Sequence, residues 1–351
     1  MEDTVMETRD LFNRVSLTTT RDETRLRWVL PGLLQHTVGL IVGAGGIGKS
    51  FLALQLAADL ATGCATLPGL FGPQVLADDQ LTWGGLRVAG VFAEDPEPIL
   101  AERLQAWFRR AAVMPGADPR LIEKHLDHNL FLTTASRPPI WWDVSGRQVL
   151  RPGPAYDELT RLAQVHDLLI LDPLSLFHTG DENDNMAMTL VMNHFNEVAR
   201  QYQCTIILLH HIAKSSRGSQ DSRDVGRGAV AITNRTRWVW WLREPGEGQQ
   251  TGTKKRKPQI PSDVWLQLVP QKINYPGMGV VGQQWLQRLK DRGGVLACVD
   301  NPLTEPKKPR PAPTLSSRTG TKGVKQNSGK RSGRKQDPKK QDTTTEADAD
   351  R

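Results

Sequence analysis

Eight residues, GAGGIGKS at 43–50, constrain this chain more than any other feature of it. An apolar run at 38–42 precedes them, and the stretch 49–61 that follows has small or apolar residues at every third or fourth place. The segment therefore reads as strand, glycine turn, helix. A turn of this kind directs the unpaired N–H groups of the helix start at one spot, where the helix dipole adds its positive end. Glycines keep side chains out of the way, so the backbone can wrap a phosphate. Gly43, Ala44, Gly45, Gly46, Ile47, Gly48, Lys49, Ser50 and Phe51 are thus the candidate cradle for the phosphates of ATP. In this pattern Lys49 reaches the β- and γ-phosphates and Ser50 ligates Mg2+. The alternative, a glycine-rich turn that holds no nucleotide, does not require both correct flanks.

Short apolar runs and helical stretches then alternate. Strands are expected at 38–42, 86–93, 168–172 and 204–210, and helices at 49–61, 97–111 and 186–201. This alternation predicts an α/β fold with a mostly parallel sheet and helices on both faces. After 211 the pattern changes to a polar loop at 212–226 and short runs at 237–242, 264–269, 280–285 and 295–299. These are expected to extend the sheet as antiparallel C-terminal strands, with an exposed Gly-, Pro- and Lys-rich loop at 246–262.

Three of the expected strands end in chemistry. LLILDP places Asp172 at the tip of a wholly apolar run, the pattern of a buried central strand that delivers a magnesium carboxylate to the phosphates. GVFAEDP ends in Glu94 and Asp95. Glu94 is the candidate base that orients the attacking water, and Arg103, nine residues on, is a candidate support for it. The competing reading is that both carboxylates merely favour the dipole of the next helix. CTIILLHH ends in His210 and His211, either ordinary polar strand ends or a sensor of the phosphate. With His194 they suggest no tetrahedral ligand set, so no metal other than magnesium is expected.

At 351 residues the chain can bury one large core, yet its hydrophobic share is only 38%. Parts of it are therefore expected not to fold: an arm at 1–27 and a tail at 301–351 flanking one domain at 28–300. The tail carries 13 Lys/Arg against 6 Asp/Glu, a surplus of 7, equal to the +7 of the whole chain. It reads as a disordered basic arm suited to nucleic-acid phosphates, or as a solubilising tail without a specific partner. Cys64, Cys204 and Cys298 lack the spacing of a disulfide framework or zinc site. With no apolar run long enough for a membrane span, the chain is expected to be soluble and cytoplasmic.

The order GAGGIGKS, FAEDP, LLILDPLSLFH, ILLHHIAK, GRGAVAITNRTRW and VPQKINY, over roughly 28–299, resembles the RepA-like hexameric plasmid replicative helicases within the RecA/DnaB-like P-loop ATPases. The resemblance implies a RecA-like core and a hexameric ring with ATP between subunits and single-stranded DNA through the centre. A plasmid primase or initiator is an implied partner. It implies Lys49, Ser50 and Asp172 for MgATP, Glu94 as base with Arg103 as its support, and His211 as sensor of the γ-phosphate. An arginine from the neighbouring subunit completes the site in that family; Arg237 matches it best and Arg227 is second. In the loop after the sensor strand, Lys214, Arg217 and Arg223 are candidate DNA contacts, or else a solvated charged loop. Two features depart from the DnaB-like pattern. Lys272-Ile-Asn274 stands where a Lys-x-Arg pair is found, and no primase-interacting domain precedes the core. The leading expectation is an ATP-dependent replicative DNA helicase. The alternatives are a RecA-fold DNA-binding ATPase that acts in recombination or replication control without unwinding, and a nucleotide-gated scaffold.

Overall fold

A run such as LLILD can be a strand only if both its faces are covered, because it has no polar side to give to water. In the computed structural model this is what happens. Residues 27–70, 85–134, 140–143, 149–153, 155–212, 230–245, 264–275 and 282–302 are described. The chain divides into Met1–Glu305 and Pro306–Arg351, and all the described residues lie in the first unit.

The element order is β1 (Trp28–Leu30), β2 (Leu33–Leu34), β3 (Val38–Gly43), α1 (Lys49–Thr62), β4 (Val88–Phe92), α2 (Glu97–Ala111), α3 (Pro119–Asn129), β5 (Leu130–Thr133), β6 (Ile140–Asp143), β7 (Val149–Pro152), α4 (Tyr156–Val165), β8 (Leu168–Asp172), α5 (Asn185–Gln201), β9 (Thr205–His211), α6 (Val230–Arg235), β10 (Trp238–Arg243), β11 (Trp265–Ile273), β12 (Gln284–Leu289) and β13 (Val295–Val299). Nine strands form one sheet in the order β13-β12-β11-β10-β3-β9-β8-β4-β5. From β10 to β5 neighbouring strands are parallel. From β10 to β13 they are antiparallel.

Alternation along each strand sorts the core into two layers. Leu168 and Ile170 of β8 pack with Leu52 and Leu56 of α1 and Leu100 of α2, whereas Leu169 and Leu171 pack with Met188, Val191 and Phe195 of α5. Helices thus cover both faces, and α3 joins the first layer through Ile122, which clusters with Ala58 and Trp107. Helix α1 is buried on nearly all sides, as suits a helix wedged between a sheet and further elements. Its polar side chains are internally satisfied. Asp59 accepts bonds from Thr66 Oγ1 at 2.7 Å and Trp107 Nε1 at 2.8 Å, and burial pushes its carboxyl up to about 7. Gln55 bonds Leu296 in both directions, Nε2 to the carbonyl at 2.8 Å and the Leu296 N–H to Oε1 at 3.1 Å, which ties α1 to the last strand.

The run expected at 237–242 is β10, and it differs from expectation in direction: it lies parallel to β3, with Trp238 opposite Gly39 and Leu242 opposite Gly43. The antiparallel extension therefore begins one strand later, at β11. The run expected at 280–285 appears as Gln284–Leu289. Elements α3, α4 and β5 add to those the sequence leads one to expect. No helix among the described residues is long and apolar enough to cross a membrane. All three cysteines are free thiols.

Candidate nucleotide site

Because β3, β4, β8, β9 and β10 are parallel, their C-terminal ends share one edge of the sheet, the edge where open α/β sheets bind ligands. The glycine loop leaves β3 there and leads into α1. Gly48 is the N-cap of α1, at φ 105°, and no side chain caps the helix or puts an acid in its first turn. The free N–H groups of α1 are therefore open to an anion. Gly43 is required by packing, since a Cβ would meet the Leu242 carbonyl at 2.6 Å. Gly46, at φ 74°, has nothing within 4 Å of where its Cβ would stand. Lys49 is 3% exposed, and its ammonium donates to the carbonyls of Gly43 and Ala44, both at 2.9 Å. Burial lowers its pKa to about 8, against the pull of Asp172 and Glu94.

Asp172 ends β8, two strands from β3 with β9 between them. Burial raises its carboxyl to about 6, opposed by a hydrogen bond from the Ser50 side chain and by the Lys49 charge. Its Oδ1 is buried and has no hydrogen-bond partner. A buried carboxylate oxygen left open beside a hydroxyl is the donor set a magnesium ion takes, so Ser50 and Asp172 fit the ion the sequence implies.

His211 bridges the cradle and the candidate base. Its Nδ1 lies 2.9 Å from Lys49 Nζ and its Nε2 lies 3.6 Å from Glu94 Oε2. With the ammonium donating to Nδ1, the ring proton belongs on Nε2, facing the carboxylate. Burial first, then the Lys49 charge, lower the His211 pKa, and Glu94 opposes them. Glu94 is largely exposed and so reaches water. Helix α2 has Pro96 as N-cap and no side-chain cap, so neither Glu94 nor Asp95 serves as its cap.

Arg103 does not hold Glu94 as expected. Its Nη1 pairs with Asp95 Oδ2, and its guanidinium lies 6.0 Å over the Phe51 ring. Glu94 and Asp95 are consecutive at a strand end and diverge, one toward His211 on β9 and the other toward α2, which carries Arg103. Arg237 is exposed and precedes β10, at the end of the sheet opposite the glycine loop of its own chain. Lys272 donates to the carbonyls of Thr233 and Asn234 at 3.0 and 3.2 Å, at the C-terminal end of α6. Arg227, Lys214, Arg217 and Arg223 lie outside the described residues.

One contact escapes a reading of the sequence. Arg288 of β12 donates from Nη2 to the Ile47 carbonyl at 2.8 Å, on the glycine loop 241 residues earlier. No local pattern marks such a pairing, which exists only because the antiparallel strands run back along the sheet.

A glycine loop at a helix start, a buried strand-end carboxylate two strands away and a glutamate one strand further stand together at the C-terminal edge of a mostly parallel α/β sheet, the arrangement of a P-loop fold. Comparison with known proteins gives the family: a model described as an AAA domain matches residues 8–217, more than half of the chain, and the chain belongs to that family. Among solved structures, one described as an ATPase domain is 12% identical over 76% of this chain and 86% of its own, with a TM-score of 0.45. Another, described as a DnaB-like replicative helicase and its interactions with primase, is 13% identical over 76% of this chain, with a TM-score of 0.47. This chain spans 57% of the length of that second protein.

Proposed function

We propose that this protein is an ATP-hydrolysing ring motor that moves on single-stranded DNA, a replicative helicase of plasmid or mobile-element type. The observation that carries this reading is the contiguity of Lys49, His211 and Glu94. A lysine suited to the terminal phosphates, a neutral imidazole and an exposed carboxylate touch in sequence, and the imidazole stands at the head of the segment that holds Lys214, Arg217 and Arg223. Loss of the γ-phosphate would alter the charge facing Lys49 and so the bond it gives to His211, a local event that the next segment can feel.

In the chemical step, water attacks the γ-phosphorus, its proton passes to Glu94, and the bond to the β-γ bridging oxygen breaks to release ADP. Lys49 and the N–H groups at the start of α1 hold the non-bridging oxygens. Mg2+ held by Ser50 and Asp172 would neutralise charge on the β and γ oxygens. Asp95 and Arg103, paired with each other, fix the backbone from which Glu94 projects. Arg237 of a neighbouring subunit is proposed to complete the site. Its exposure and its distance from its own glycine loop support a role in trans.

The test is strand displacement on a forked duplex, together with ATPase activity with and without single-stranded DNA, using the full chain and Lys49→Ala. DNA-stimulated hydrolysis and unwinding, both lost in the variant, are expected; robust hydrolysis that neither responds to DNA nor separates strands overturns the helicase reading. A second reading, DNA-dependent ATP turnover without unwinding, draws on Lys272, whose ammonium is already engaged by the α6 carbonyls. DNA-stimulated hydrolysis without strand separation selects it.

A further inference from the structure

The residues that mark the γ-phosphate end of the site all come from one side of β3. Asp172, Glu94 and His211 end β8, β4 and β9. Arg288 comes from the other side, from β12, and meets the same glycine loop at its last turn before α1. A triphosphate lying across the loop with its terminal phosphoryl group among Asp172, Glu94 and His211 leaves its α-phosphate and nucleoside toward β10–β12. Two arginines stand on that side among the described residues: Arg243, which ends β10, is buried with its Nε on Gln267 Oε1, and Arg288 is the one that reaches the glycine loop.

The contact is built for close approach. A Cβ on residue 48 would stand 2.8 Å from Arg288 Nη2, so the guanidinium in its present place uses the space that Gly48 leaves. The donated bond to Ile47 uses one of five N–H groups, and the side chain is only half-buried. Among the described residues no carboxylate pairs with it. A planar fork with one prong on the loop carbonyl keeps the others for phosphate or ribose oxygens.

We propose that Arg288 is a positioning residue for the nucleoside-proximal end of the bound nucleotide, a determinant of affinity for ADP and ATP rather than of cleavage. It holds the last loop residues before α1 through Ile47 and meets the α-phosphate and ribose. The inference rests on the nucleotide site proposed above, and the experiment separates the two.

Arg288→Ala and Arg288→Lys are prepared in the full chain, checked by thermal melting, and titrated with MgADP and with inorganic tripolyphosphate; ATP turnover is measured alongside. For Arg288→Ala, affinity for MgADP and the KM for ATP are expected to worsen about tenfold or more, as for loss of a charged hydrogen bond. Tripolyphosphate keeps the α-phosphate contact but has no ribose, so its affinity should weaken less than that of ADP, and kcat should fall less than kcat/KM. Arg288→Lys keeps the charge but not the fork, so it recovers part of the ADP affinity and serves as the test if the alanine variant does not fold. Equal weakening of ADP and tripolyphosphate, or unchanged ADP binding and KM, overturns the proposal. Failure of the wild type to bind MgADP or MgATP overturns the nucleotide site itself.

Discussion

Asp172→Asn should make the metal-free protein more stable, and the amount follows from the site. The buried carboxyl titrates at about 6 in the fold against 3.8 ordinarily. A raised folded value means that the native state holds the proton more tightly than the unfolded chain does. Stability then falls as pH rises through the interval from 3.8 to about 6, and the loss is complete above it. At about 1.4 kcal/mol per pH unit, the ionised side chain costs the native state about 3 kcal/mol at pH 8. The shift already includes the opposing help of Ser50 and Lys49, so it is a net figure. An asparagine has the same shape and no charge to desolvate. With about 2.1 cal/mol/K of unfolding entropy per residue over a unit of this size, the variant should melt roughly 5 °C higher at pH 8 in a chelator. At pH 4 the gain should almost vanish, and added Mg2+ should raise the melting temperature of the wild type alone. Thermal melts followed by circular dichroism at both pH values check this. A variant that melts at or below wild type at pH 8, or gains as much at pH 4, refutes the reasoning, because the instability would not come from ionised Asp172.

MgATP affinity should peak between about pH 6 and 8: below, Asp172 takes up a proton and gives up magnesium, and above, Lys49 loses the charge that meets the phosphates. Calorimetric titrations across pH 5–9 should show both limbs, Asp172→Asn should lack the acid one, and a flat profile speaks against either residue touching the ligand. Glu94→Gln should keep nucleotide binding within a few-fold and lower phosphate release by roughly 10²–10⁴-fold, the range for a lost general base. Gly48→Ala should both strain a φ of 105° and push Arg288 away, whereas Gly46→Ala, at φ 74° with open space around it, should bear the backbone strain alone, roughly 1–2 kcal/mol. If melting and ADP titration find the two variants equal, the Arg288 contact is not what Gly48 makes room for.

The candidate ligand edge of this fold is legible in sequence because a parallel sheet buried on both faces must be written as unbroken apolar runs, and the residues that close each run stand at that edge. Gly43, Asp172, Glu94 and His211 all stand at such run ends. The direction of β10 is not legible, because the crossover before it contains only the six residues of α6 among its described helices, and WVWWL reads equally well as a parallel or an antiparallel strand. Helices α3 and α4 are short and charged, so their apolar stripes are thin. The partner of Arg103 lies one residue from the expected one, since spacing on a helix does not tell which of two consecutive strand-end carboxylates turns toward it. Arg288 has no signal at all: its partner is a backbone carbonyl on a distant loop.

The bonds from Arg288 to Ile47 and from Gln55 to Leu296 fasten the glycine loop and α1 to the two strands made last among those described. As the chain leaves the ribosome, the cradle is synthesised early yet stays unbraced until roughly 240 further residues have followed it. A fragment trimmed to the limits of the family match would keep the strand-end motifs and lose both braces. Expressed alone, it should grip nucleotide more weakly than the intact chain, and the timing of ATP capture during synthesis would be governed by β12 and β13.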